Sequence, residues 1–257
     1  MSAIPFIDWQ RSRDLNFQGL CFYILSALAG DLPIFLTVLS ILYISIGDMM
    51  ALDYGTSLVL TAIIGHLSLG ELVTFITSIL VLSDFFGVIL VAKPSMIFPP
   101  SHQQTQSQFH RETGVLIALS SAVFGSLWVV GVRKLVAKDV FCTYTMMTIS
   151  GLIGTVLSCA WMLILPSSST RNSPEKLSDI FLLLLLYALV CTVQTVMGLK
   201  ALTYEESKSF VTFSTLSVGF CYIIQITLLG EKVDVVCIIG AVVITTCVML
   251  YSFRKEC

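Results

Sequence analysis

Between Lys208 and Glu231 the chain runs 22 residues without a charge, and from Val235 to Phe253 it runs another 19. A helix needs about 20 apolar residues to cross a bilayer. Only the short stretch around Leu229-Gly230-Glu231-Lys232-Val233 separates the two runs. Ser207–Ser252 therefore reads as a membrane hairpin: helix, tight Gly-Glu turn, helix. The same hairpin stands earlier, where Leu69-Gly70-Glu71-Leu72-Val73 repeats the turn at an offset of 160 residues with no gap. Laying Gly47–Ala92 on Ser207–Ser252 gives ten identities in 46 positions, among them Ser57/Ser217, Ile63/Ile223, Ile64/Ile224 and Val88/Val248. Apolar sequences match one another often. It is the in-register Leu-Gly-Glu-x-Val between two spans that points to duplication.

The rest of the composition agrees. Hydrophobic residues make up 56% and charged residues 12%, with a mean hydropathy of +0.92, whereas soluble domains carry about 25% charged residues. The chain is a polytopic, all-α membrane bundle. The net charge of −2 says nothing about partners, and no basic cluster points to nucleic acid, so none is expected as a partner. Eight scattered cysteines form no C-x-x-C pair, and most fall inside spans, where cysteine acts as a small apolar residue. No metal cluster, nucleophile–histidine pair or phosphate loop is present in the sequence, so neither an enzyme nor a cofactor is expected.

Read in order, Met1–Asn16 is a polar leader. Phe17–Ile46 is apolar but interrupted at Gly30-Asp31-Leu32-Pro33, and reads as one long span broken at Pro33 or as a re-entrant pair. The further spans are Asp48–Leu69, Val73–Ala92, Gly114–Val136, Val140–Leu165, Ser178–Leu199, Lys208–Leu229 and Val233–Ser252, about eight in all. Residues 17–92 form a first, incomplete repeat and 114–252 a second. Lys93–Thr113, rich in Pro, Ser, Gln and His, reads as a solvated linker between them, and 253–257 as a tail. Placing both termini in the cytoplasm puts nine basic residues inside, including Arg133, Lys134, Lys200 and Lys208. Five lie outside: Lys93, Arg111, Arg171, Lys176 and Lys232. Five helices separate the two hairpin starts, so the copies cross the membrane in opposite directions, as in many secondary transporters.

Candidate site residues follow from polar groups inside spans. Asp53, Ser57 and Thr61 are spaced by four, with Thr56 beside them, and form a polar stripe on an apolar helix. Ser214, Ser217, Cys221 and Gln225, with Tyr222 adjacent, form a second stripe on the paired helix. Two such stripes facing each other would line a central cavity. The alternative is that the hydroxyls satisfy helix carbonyls or pack against neighbours. Asp84 sits mid-span, where an ionised carboxylate costs about 2.5–3.5 kcal/mol on insertion scales, so it should face a cavity, find a partner or stay protonated. Lys200 either snorkels to the interface or reaches an anionic substrate. Gly70, Glu71, Gly230 and Glu231 mark the structural turns, and His66 is expected to pack. Ser150/Gly154/Ser158, Ala118/Ala122 and Ser121/Gly125 show the small-xxx-small spacing of close helix contacts.

These features resemble the drug/metabolite transporter superfamily with two EamA-type repeats. That pattern is a span, a Gly-Glu turn, and a span with glycines nine and sixteen residues after the Glu. Each glycine is kept in one copy here, Gly240 in the second and Gly87 in the first. Ile46-Gly47-Asp48, Gly87-Val88-Ile89-Leu90-Val91-Ala92-Lys93-Pro94, Val132-Arg133-Lys134-Leu135 and Lys200-Ala201-Leu202 are similar to the G-type subgroup of solute carrier family 35. Ser57-Leu58 stands where the family often carries Ser-Pro. The resemblance implies ten helices, of which the first two are missing here, and a transporter of small metabolites by alternating access. A non-transporting interaction protein or an inactive short form is the rival. The partners implied are the bilayer, a small-molecule substrate and, as an open option, a second copy in a homodimer. The membrane implied is ER, Golgi or plasma membrane.

Overall fold

A computed structural model describes residues 17–70, 75–92, 105–137, 143–164, 189, 192–204, 207–228, 230 and 235–255. These residues form eight helices: α1 (Phe17–Ile41), α2 (Ile46–Leu69), α3 (Phe75–Ala92), α4 (Thr105–Ala137), α5 (Thr143–Ile164), α6 (192–204), α7 (Ser207–Thr227) and α8 (Val235–Lys255). Among the described residues no strand occurs. Gly19–Ile41, Ile46–Leu69 and Arg111–Ala137 are each long and apolar enough to cross a bilayer. Shorter apolar stretches lie in α3, α5, α7 and α8. The protein is an integral membrane helix bundle.

Two elements differ from the sequence reading. Pro33 lies inside α1 without ending it, so Phe17–Ile41 is one continuous helix rather than a re-entrant pair. The carbonyl of Pro33 accepts a bond from Ser121 Oγ at 3.3 Å, so α4 braces the chain at this point. The polar stretch 93–113 does not stay a linker to its end. Helix α4 begins at Thr105, because 105–113 contains no proline or glycine and Arg111 is anchored to α2 and α3.

The hairpins pack helix on helix. Hairpin one (α2, α3) and hairpin two (α7, α8) share a core of Met49, Leu52, Val91, Val218 and Ile244, all fully or almost fully buried. A second core of Tyr23, Val132, Met146, Leu199 and Leu202 joins α1, α4, α5 and α6. Helices α3 and α8 approach each other closely through their backbones. A Cβ on Gly240 would lie 2.8 Å from the Gly87 carbonyl oxygen, and one on Gly87 would lie 3.0 Å from the Gly240 carbonyl oxygen. The two glycines singled out in separate repeats therefore meet, and only glycine permits that separation. The small-residue patterns of α4 behave similarly. Ala118, Ser121 and Ala122 are fully buried, and Gly125 sits against Ser57 of α2. On α5, Ser150 donates to Asp31 Oδ1 of α1 at 2.7 Å, with Gly154 beside the same carboxylate, while Ser158 is exposed. His66 is exposed rather than packed.

The turns rest on backbone geometry. Ser45 caps α2, its hydroxyl accepting from the Asp48 amide at 3.3 Å. Gly70 ends α2 at φ +69° with its amide directed to the carbonyls of Gly65 and His66. Gly230 follows α7 at φ +63°. No atom crowds either glycine, so the left-handed backbone, not tight packing, requires glycine there. Glu71 and Glu231 lie outside the described residues. We expect Gly70→Val and Gly230→Val each to lower stability by about 1–2 kcal/mol, the cost of a left-handed L-residue, and Gly70→Asn to cost less because asparagine tolerates that region. Thermal unfolding of the purified variants in detergent checks this ranking.

Candidate functional site

The first four backbone amides of any helix, α2 included, lack a partner within the helix. Side chains from other helices reach them or sit beside them. The Gly47 amide donates to Gln225 Oε1 of α7 at 3.0 Å. Asp48, 5% exposed, places its carboxylate near the positive end of the helix and accepts from Tyr222 Oη at 2.8 Å. Its other oxygen meets Arg111 of α4 at 3.3 Å. Arg111 also donates to the Val91 carbonyl at 2.8 Å, satisfying one of the last carbonyls of α3. Cys237 of α8 lies 4.0 Å from both Arg111 Nη2 and the Val91 oxygen. One polar cluster thereby joins α2, α3, α4, α7 and α8.

Tyr222 and Gln225 belong to this cluster rather than to a stripe facing Ser57. The sequence reading passed over Asp48 and Arg111, treating one as a span boundary and the other as a loop charge. The signal available was a charge at the head of each of two apolar spans, Asp48 opening one and Arg111, beside Glu112, opening the other. An ion pair there satisfies both in a low-dielectric setting.

The two stripes lie on helices that touch, yet they do not face each other as drawn. Tyr54 of α2 meets Ser217 of α7. Ser57 turns instead to α4, donating to the Ala122 carbonyl at 3.1 Å, while Ser126 Oγ lies 3.3 Å from the Ser57 carbonyl. Asp53 faces Ser121 of the same helix. On α7, Ser214 donates to the Phe210 carbonyl at 3.0 Å and Ser217 to the Ser214 carbonyl at 2.7 Å, so both hydroxyls donate within their own helix, Ser217 while also meeting Tyr54. Cys221 is half-buried and Lys200 is exposed on α6. The rotation has a simple cause. Spacing by four sets which residues share a face, but the neighbour that face meets depends on packing, and small Ala122 and Gly125 draw α4 against it.

A different set of polar atoms stands out. Asp53 Oδ1, Thr56 Oγ1, Thr61 Oγ1, both oxygens of Asp84 and Arg111 Nε are buried without a hydrogen-bond partner. Three of these residues are on α2, Arg111 pairs with it at Asp48, and Asp84 Oδ2 approaches it at Gly55. Asp84 is fully buried on α3, with Cys247 of α8 beside it. Ser26 Oγ and Asp31 Oδ2 on α1 are the other such atoms described. Buried polar atoms without partners are rare in folded proteins, so a concentration around one helix calls for a cause.

The head cluster yields a test. Interhelical hydrogen bonds in membranes average about 0.6 kcal/mol and reach about 1.7, and a bond to a buried carboxylate belongs at the upper end, so Tyr222→Phe costs about 1.5 kcal/mol. Arg111→Met leaves Asp48 unpaired and costs about 3 kcal/mol, at the low end for a buried pair because Arg111 remains 30% exposed. Adding Asp48→Asn to Arg111→Met recovers part of that loss, as unfolding of the three proteins in detergent will show.

Comparison with known proteins bears on the whole chain. No curated protein matches it. Residues 112–253, more than half of its length, match the EamA-like transporter family. That segment runs from the start of the α4 membrane span to the last turns of α8 and contains Tyr222, Gln225, Cys237 and Gly240. The chain belongs to the EamA-like transporter family.

Proposed function

We propose that the protein is a secondary transporter that moves a small polar or anionic metabolite by alternating access, with the substrate path running along α2. The observation that carries this reading is the set of unsatisfied polar atoms around that helix: Asp53, Thr56, Thr61 and Asp84. Each leaves hydrogen-bonding capacity that a passing polar solute would use. Burial without a partner costs about 1–3 kcal/mol per group, so a bundle with only a packing role gains nothing by keeping four such residues together. Asp84 offers two acceptor oxygens, and whatever meets them must bring a donor or a cation.

The offset repeat supports an inverted arrangement of the two hairpins, which in transporters rock against each other about a site between them. In this reading the Asp48–Arg111–Tyr222 cluster closes one end of the path, because it joins α2 to α7 and α8 of the second repeat. Likeness to the G-type subgroup of solute carrier family 35 rests on the short motifs alone. The excess of basic residues on one side favours cytoplasmic termini.

The test is uptake by the purified protein in liposomes, screened with radiolabelled polar and anionic metabolites. We expect one class to accumulate above empty liposomes. Asp84→Asn and Thr61→Val should lower that uptake tenfold or more, while Ser214→Ala and Ser217→Ala leave it within about twofold, because those hydroxyls bond their own helix. No uptake of any tested class would favour the non-transporting interaction protein. Loss of uptake in the serine variants with normal uptake by the Asp84 and Thr61 variants would move the path to α7.

A further inference from the structure

Helix α4 wedges between α1 and α2 and leaves a groove of about 350 Å³ over its surface. The three helices run in a fixed register. Phe22, Gly30 and Pro33 of α1 oppose Lys134, Trp128 and Ser121 of α4, so α1 and α4 are antiparallel. Asp48 and Ser57 of α2 meet Arg111 and Ala122, so α2 and α4 are parallel. The groove therefore has a polar end and an apolar end. Lys134, Ser68 and Ser26 line it at the first, and Leu32, Phe124 and Leu127 at the second. Phe124 to Lys134 is ten residues, about 15 Å of helix.

The chemistry of the polar end is one-sided. Lys134 is a three-fold donor in the last turn of α4, and among the described residues its ammonium meets the Phe22 ring at 5.9 Å and no carboxylate. Ser26 is 4% exposed, lines the groove, and its hydroxyl has no hydrogen-bond partner. The cation selects an anionic group, the buried partnerless hydroxyl in the wall beside it adds a donor for a group that enters far enough to reach it, and the apolar wall below them selects a hydrocarbon chain.

We propose that this groove is a binding site for an anionic phospholipid, its phosphate on Lys134, with Ser26 in the wall beside it, and one acyl chain lying along Leu32, Phe124 and Leu127. The position suits such a ligand, since Lys134 and neighbouring Arg133 lie near one end of the bundle, where a headgroup phosphate sits. Arg133 is already engaged, donating to the Leu202 and Thr203 carbonyls at the end of α6, which leaves Lys134 as the headgroup ligand. The site is separate from the substrate path, and the two readings stand or fall on different measurements.

The experiment is thermal unfolding of the purified full chain in detergent with added phosphatidylglycerol, phosphatidylcholine of the same chains, or inorganic phosphate. Phosphatidylglycerol should raise the midpoint by several degrees more than phosphatidylcholine, and inorganic phosphate should leave it unchanged. Lys134→Gln should erase the difference between the lipids, and Lys134→Arg should keep it. Leu32→Trp, which fills the apolar end, should reduce the effect of both lipids. Native mass spectrometry, counting lipids retained on wild-type protein, supplies the second readout if a variant does not fold. Equal retention and equal stabilisation by the two lipids in the wild type would overturn the proposal. So would an equal effect of inorganic phosphate, or a phosphatidylglycerol preference that survives Lys134→Gln.

Discussion

A carboxylate at the head of α2 and a guanidinium in the second turn of the parallel helix α4 hold the first hairpin to the rest of the molecule. Arg111 reaches Asp48 of α2 and the Val91 carbonyl of α3 from one side, and Tyr222 and Gln225 reach Asp48 and Gly47 from the other. In hydrocarbon every backbone polar group must find a partner inside the protein, and helix ends are where that requirement is hardest to meet. Here it is met by side chains from neighbouring helices rather than by water, so helix termination and helix packing become one problem. Removing any one member leaves another buried without its partner. The cluster thereby fixes where α4 lies along α2, and that register in turn sets which residues line the groove above α4.

Much of this was legible in the residues. The repeated Leu-Gly-Glu-x-Val located both hairpins, and Gly70 and Gly230 do adopt the left-handed backbone such turns need. Gly87 and Gly240, noticed because each repeat keeps only one, prove to be where α3 and α8 touch through their backbones. The ion pair was not legible, because Asp48 and Arg111 lie far apart in the chain and each has a plain reading as a flanking charge. The stripes were half legible. Asp53, Ser57 and Thr61 do share a face of α2, but a helix's own periodicity carries no information about which neighbour that face meets. The hydroxyls of Ser214 and Ser217 show the matching limit, since a serine in a membrane helix bonds its own carbonyls unless packing prevents it.

The polar groups sort into two populations with different consequences. Those at the head of α2 are mutually satisfied and hold the bundle together. Those further along it, from Asp53 to Thr61 with Asp84 across from Gly55, are buried and unsatisfied at Asp53 Oδ1, Thr56, Thr61 and Asp84. In the proposed transport function the second population has a purpose, as groups that exchange partners when a solute passes. On that proposal, closure at one end and unsatisfied capacity in the middle is the division expected of a bundle that opens alternately to its two sides.

That account turns on whether water reaches the middle of α2. Thr61, fully buried and without a partner for its hydroxyl, is the most direct reporter. Thr61→Cys, in a background with the native cysteines replaced, can be exposed in intact membranes to a small charged thiol reagent and to a lipid-soluble one. The account predicts that the charged aqueous reagent labels position 61 as the protein samples its open states. Labelling by the lipid-soluble reagent alone, or by neither, would contradict it and leave α2 a packing helix.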